Sequence, residues 1–249
     1  MEISTDLAYK TNFIIRCFAL VISDFIGPLI VLLIYNSSLG VPGWKFEEFI
    51  LFQGTFIFVT GIAHTFIYHI PFNVIENVRE GTFDKILTKP FNPLLYLTFS
   101  SIDLEGIAEV ITGIFLIAWS LIKLDISIFS LNAVYYALFL LLALLFLYSA
   151  MIMISALAFI VVRSFGLLEL LFKFMDVARY PMNIYGLEMK FIFTFLLPIA
   201  VISFYPASAL LGRFSIATFI EILVPVSIFF AISLFAWNFG IKKYTSAGG

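Results

Sequence analysis

Long apolar runs alternate with short polar breaks along this chain, and the lengths of the runs decide its class. A helix needs about 20 consecutive apolar residues to cross a hydrocarbon core, and runs of that order recur from residue 13 to residue 239. In lipid every backbone N–H and C=O must be paired within the chain, so such runs are expected as helices. Four spans are predicted by this pattern before residue 163, at about 13–35, 49–70, 104–122 and 131–162, and one at the end, 216–239. The fourth is longer than a bilayer requires, so it should tilt or project. Residues 1–12 are polar, and Ile3, Leu7 and Ile14 give a weak apolar stripe that suits a short interfacial helix. No basic segment followed by a short apolar core and a small-residue cleavage site is present, so no removable signal peptide is expected.

The largest polar interruption covers 73–103 and holds Glu76, Arg79, Glu80, Asp84, Lys85 and Lys89. These charges belong in water or against another protein. Gly81 breaks what precedes it, Thr82 can cap a new helix, and Asp84 then falls in the first turn, where a carboxylate suits the helix dipole. Phe83, Ile86 and Leu87 share one face of that helix, and Asp84, Lys85 and Thr88 the other. Pro90 ends it, because proline has no N–H to donate and restrains Lys89 before it. The expected product is a stub of amphipathic helix that looks like a docking element. Ser100 and Asp103 fit a capping box that would open the third span.

Composition supports the membrane reading: 62% of residues are hydrophobic, 12% are charged, and the mean hydropathy is +1.10. Soluble domains carry about 25% charged residues. A formal charge of −2 favours no nucleic-acid partner. The lone Cys17 permits no intrachain disulfide and is expected as a buried, inert thiol. No G-x-x-x-x-G-K-[ST] run occurs, so any ATP would have to be bound and hydrolysed by another chain.

Several polar residues fall inside or beside the apolar runs. Asp24 should face protein or water, either on a transport path or at a hydrogen-bonded packing position. Trp44 lies in a turn-rich loop as an interface aromatic. His64 and His69 are five apart, so on a regular helix they diverge and could not hold one metal as an i, i+4 pair would; no metal site is expected. Glu105 and Glu109 could form a proton or cation site, but a solvated or partner-facing helix start is favoured, since nothing else with ligand chemistry accompanies them in sequence.

Residues 163–211 allow two readings. Phe165, Leu168, Phe172 and Met175 line one side of a helix; Glu169, Lys173, Asp176 and Tyr180 line the other, with Glu169 and Lys173 ordered as an i, i+4 pair. Hydropathy alone makes this a surface helix and 191–211 the fifth span. Pro198 and Pro206 interrupt that second segment, which better suits a broken or re-entrant element.

A family resemblance bears on the choice. The run from Arg79-Glu80-Gly81 through Phe83-Asp84, Leu87, Lys89-Pro90 and Pro93-Leu94 resembles the loop of ABC-2-type exporter permeases, in particular the branch described as ABC-2 family transporter protein. Arg179-Tyr180-Pro181, Tyr185, Leu197-Pro198 and Pro206-Ala207 resemble a second block of that family, and Trp237 through Gly240, Tyr244 and Ser246-Ala247-Gly248 resemble its ending. The resemblance implies a span at about 164–183, an outer re-entrant hairpin at 188–211, and hence six spans in one 1–249 transmembrane domain.

It implies a permease subunit of an ATP-driven exporter, paired with an identical or similar permease and two ATPase subunits that carry ATP and Mg; this chain binds no cofactor of its own. Arg79, Glu80, Gly81, Phe83, Asp84, Ile86, Leu87, Lys89 and Pro90 would form the ATPase-docking element, its apolar face plugging a groove on the partner. Replacing Phe83 by Asp would then weaken docking while leaving insertion untouched. Asp24, Glu169, Lys173, Asp176 and Arg179 are candidate pathway or dimer-contact residues, with a self-neutralising packing network as the alternative for the 169–176 stripe.

Charge sets the orientation. With the N-terminus inside, Lys10, Arg16, Arg79, Lys85, Lys89, Arg163, Lys242 and Lys243 are cytoplasmic, Lys45, Lys123 and Arg213 are external, and Lys173, Arg179 and Lys190 are undecided, the positive-inside pattern of a plasma-membrane protein. An ion-driven secondary transporter is the alternative function, although only the C-terminal half looks broken. An intramembrane enzyme is disfavoured, since neither G-x-S-x-G nor H-E-x-x-H occurs.

Overall fold

The computed structural model describes residues 10–37, 40–161 and 164–245. The interfacial helix expected before Lys10, Arg163, and the Ser246–Gly248 end of the tail lie outside the described residues. Within them every regular element is helical: α1 (Lys10–Ser37), α2 (Phe46–Phe66), α3 (His69–Arg79), α4 (Asp84–Leu87), α5 (Pro93–Ser100), α6 (Gly106–Leu124), α7 (Leu131–Ala158), α8 (Phe165–Met175), α9 (Leu187–Phe191), α10 (Phe204–Leu210) and α11 (Ile216–Lys243). Five units are long and apolar enough to cross a membrane: α1, α2 with α3, α6, α7 and α11. A sixth is reached if the bent pair over 187–210 is counted as one. Their number equals that of the apolar runs, and the second unit continues through α3 to Arg79, into the polar interruption.

The bundle has an inner and an outer layer. In the span windows 72% of α2–α3 and 56% of α7 is buried, against 11% of α1 and 22% each of α6 and α11. The outer helices turn Ile14, Phe18, Leu33, Ile111, Phe115 and Phe235 outward, an apolar surface suited to lipid tails. α2 packs most closely against α6, and the cause is small residues. A Cβ on Gly113 would meet the backbone N of Phe58 at 2.5 Å, and one on Gly61 would meet the backbone N of Val110 at 2.7 Å. Lipid gives helices no hydrophobic reason to associate, so such backbone contact, rich in dispersion, holds them.

The chain between α2 and α3 is broken but not reversed. Both Ile67 and Tyr68 direct their N–H to Ala63 O, at 2.7 and 2.8 Å. The Tyr68 bond is a wide, i→i+5 turn that inserts one extra residue into the helical count.

At the far end of α3 the chain closes in a Schellman motif: Gly81, at φ +67°, donates to Val78 O at 3.2 Å, and Thr82 N donates to Asn77 O at 2.8 Å. Thr82 caps nothing. Its hydroxyl turns back to Asn77 Oδ1 at 2.8 Å, and α4 is a single turn that starts after Phe83. The expected capping box at Ser100 is also not formed. Ser100 closes α5, an eight-residue helix not anticipated in the sequence, and Asp103 Oδ1 accepts from Glu105 N at 2.8 Å just before α6. The signal for α5 was present in Asn92-Pro93: Asn92 Oδ1 accepts from Leu94 N at 2.9 Å, and proline fits the first helical position. Trp44 is not an interface aromatic. It is 6% exposed, packed on Phe49, Phe52 and Phe204.

α8 continues as a 3₁₀ turn to Arg179 and runs alongside α3 and α2. Phe165 lies tilted against Phe72, Phe172 meets Tyr68, and the Arg179 guanidinium lies 4.8 Å over the Phe56 ring. Beyond it, the Asn183 amide lies against Gly43, in the loop between α1 and α2. The chain then folds through α9 and a π-turn, bends by 80° at Leu197-Pro198, and returns through α10. Arg213 closes this end by donating to Gly43 O at 2.9 Å and pairing with Glu48 at 2.6 Å.

Candidate functional site

Two polar regions carry the chemistry. In the first, the segment after α3, one side is fixed to the bundle. Phe83 is fully buried and Ile86 is 6% exposed. The Phe83 ring meets Phe159, just past α7, at 4.9 Å and Tyr244, just past α11, at 5.4 Å. Phe159 in turn packs on Trp237 at 5.5 Å. The expectation that Phe83 and Ile86 face a partner is therefore overturned. A one-turn helix has no stability of its own, and its apolar side chains are needed to hold it on the permease. Arg79, Glu80, Lys85, Leu87, Lys89 and Pro90 are exposed, Gly81 and Asp84 half-buried. Leu87 (38%) and, beyond Pro90, Phe91 (69%) are the apolar side chains this turn presents outward. Lys89 sits 3.7 Å over the Tyr96 ring, which ties α4 to α5.

The second region lies inside the bundle and gathers residues that are distant in sequence. Arg16 Nη1 pairs with Glu105 Oε1 at 2.9 Å. His64 lies between two carboxylates, Nδ1 3.2 Å from Glu109 Oε1 and Nε2 3.6 Å from Asp103 Oδ2. His69 Nε2 is 3.4 Å from the same Asp103 oxygen, and the two imidazoles stack at 5.8 Å and 13°. The histidines therefore converge, contrary to the sequence reading. The inserted residue between α2 and α3 puts the fifth residue where a regular helix would put the fourth. Glu105 and Glu109 are not a solvated helix start either. Glu105 is 8% exposed and pairs with Arg16 of α1, while Glu109 meets His64 of α2.

Beside this cluster is a cavity of about 250 Å³, lined by Asp24, Thr60, Tyr68, Glu109, Asp176 and Arg179 among others. It joins three of the five expected pathway residues. Asp176 pairs with Arg179 at 3.0 Å, and Asp24 Oδ2 is buried with no hydrogen-bond partner among the described residues. Gln53 Nε2 donates to Arg179 O at 2.8 Å, which ties the 3₁₀ turn to α2. Glu169 and Lys173 stand apart. Both are exposed, and no ion pair joins them among the described residues, so the expected i, i+4 bridge is absent.

The model of the family described as ABC-2 family transporter protein matches residues 21–248. The chain belongs to this family. Neither curated proteins nor solved structures give a match. Membership makes it an ABC-type permease, a membrane transport subunit of a family whose permeases work with ATPase subunits.

The segments that resembled the family meet in this permease. The loop residue Phe83 and the tail residues Trp237 and Tyr244 all contact Phe159 or each other. Gly240 is part of that contact, since a Cβ there would meet Ala156 O at 2.7 Å. The 3₁₀ turn that ends at Arg179 is joined to α10 through Ser203, whose hydroxyl donates to Ala178 O and whose carbonyl accepts from Ala207 N at 3.0 Å. What the permease offers chemically is an anchored polar turn at one end and, between its helices, a half-buried carboxylate–histidine network with more exposed arginines at its edges.

Proposed function

We propose that this ABC-2 permease is the membrane half of an ATP-driven exporter, assembled from two permeases, identical or similar, and two ATPase subunits. The observation that carries the reading is the split of the 79–90 segment into a sealed inner side and a charged outer side. Lys85, Leu87, Thr88 and Lys89 form the face that an ATPase groove receives. Phe83 and Ile86 are the rivet behind it. Because Phe83 touches the ends of both α7 and α11, force applied to the turn is passed directly to two membrane helices. ATP and Mg act on the partner. Closure of the ATPases moves the two turns together and exchanges inward and outward openings.

The topology that serves this mechanism has six spans and both termini in the cytoplasm of a plasma-membrane protein. α8 with its 3₁₀ extension is the fifth span, supported by its succession of neighbours from Phe72 to Gly43. Residues 187–210 form an outer re-entrant hairpin, supported by the 80° bend and by the contacts of its return with the Gly43 loop through Arg213.

Ion-driven transport is the second reading, favoured only by the half-buried carboxylates around His64. The deciding experiment is purification of the tagged full-length permease from its native membrane. ATP hydrolysis that co-purifies in a fixed ratio and responds to transported substrate is expected. A permease that transports in vesicles under an ion gradient, with no ATPase present, would contradict it.

A further inference from the structure

The contacts of His64, His69 and Asp103 resemble a metal site more than a set of ion pairs. One ligand atom from each lies within 4.8 Å of the others. The two nitrogen–oxygen separations, 3.6 Å from His64 and 3.4 Å from His69, are close to the edge of a tetrahedron whose centre is about 2.1 Å from each corner, the distance of imidazole and carboxylate ligands from zinc. A second feature points the same way. His64 Nδ1 is 3.2 Å from Glu109 Oε1, which orients the ring so that its other nitrogen, Nε2, faces Asp103 Oδ2 at 3.6 Å. Carboxylate–histidine–metal is the usual order of such chains, in which the outer carboxylate fixes the tautomer and raises the basicity of the ligand nitrogen.

We propose that His64 Nε2, His69 Nε2 and Asp103 bind one borderline transition-metal dication of the zinc class, with Glu109 as the residue that positions His64. Two imidazoles and one carboxylate suit zinc, cobalt or nickel, whereas calcium and magnesium seek oxygen ligands only. The three side chains are 15–27% exposed, which leaves a route for the ion and an open fourth position. Bound there, the metal ties both flanks of the α2–α3 break to the chain just before α6, where Asp103 N already donates to Thr65 O at 2.9 Å.

The test uses the full-length protein in detergent, stripped with chelator and then dialysed against buffered zinc. One zinc per chain is expected for the wild type. Stoichiometric binding should be lost in His64→Ala and His69→Ala, and Glu109→Gln should bind about tenfold to a hundredfold more weakly. Cobalt in place of zinc reads the same site without any variant, through the intense visible bands of a four-coordinate nitrogen–oxygen site. If the wild type takes up no zinc and cobalt stays in its octahedral aqueous spectrum, the cluster is a proton-held ion-pair network and the proposal fails. It fails equally if zinc binds but neither Glu109→Gln nor the folded histidine variants alter the affinity, which would place the metal elsewhere on the surface.

Discussion

The turn over Arg79–Pro90 and the cluster around His64 are both polar islands in an apolar chain, and they place their charge in opposite ways. The turn buries its apolar side chains and shows water its ions: Phe83 is sealed while Lys85 and Lys89 are exposed. The cluster draws its ions in between the helices, where counter-charges from other helices meet them: His64 with Glu109 inside, and Arg16, itself exposed, with Glu105 at the rim. A surface island can therefore be remodelled on its outer side at little cost to folding, whereas the inner one depends on its enclosed members. Removing a partner has different consequences in the two places.

The largest effect is expected at the seam between the turn and the bundle. Phe83→Ala should destabilise the permease by about 3–5 kcal/mol, and Phe83→Asp should abolish its monodisperse elution from detergent, since a carboxylate would sit against Phe159 and Tyr244. Thermal unfolding in detergent checks both. A Phe83→Asp permease that stays as stable as wild type would mean the turn is not anchored as described. In the inner island, Glu109→Ala should cost about 1–3 kcal/mol, because His64 loses the partner of Nδ1. Arg16→Ala should cost less, roughly 1 kcal/mol, since the arginine side chain is 61% exposed and its bridge to Glu105 is screened by water. Equal losses at Glu109 and Arg16 would erase the distinction between centre and rim of the cluster. The smallest effect belongs to the outer side of the turn, where Lys85→Ala should stay within about 0.5 kcal/mol of wild type.

The same contrast explains what could be read from the sequence. The polar turn is contiguous, so its charges, Gly81 and Pro90 stood side by side and its place between spans was legible. Which of its faces met the bundle was not, because that depends on Phe159 and Tyr244, residues far along the chain that end two other helices. The long spans were legible from length and hydropathy, which do not require knowledge of neighbours. The inner cluster was nearly invisible. Its members come from α1, α2, α3, α6 and the 3₁₀ turn after α8, and the convergence of His64 with His69 rests on one wide hydrogen bond from Tyr68 to Ala63 that regular helical spacing cannot foresee. Asn92-Pro93 did carry a helix-start signal for α5, obscured by the polarity around it.

The central claim is that the turn after α3 has an anchoring side and a separate partner-facing side. The measurement that tests it most directly is co-purification of ATPase activity with the tagged permease in two forms, Leu87→Asp and wild type, each first shown by thermal unfolding to be folded. Leu87 is 38% exposed, against 0% for Phe83 and 6% for Ile86. The account predicts that Leu87→Asp unfolds at the wild-type temperature, within about 1 kcal/mol of its stability, and loses at least tenfold of the co-purifying ATP hydrolysis. A folded Leu87→Asp permease that retains its full complement of ATPase would contradict it.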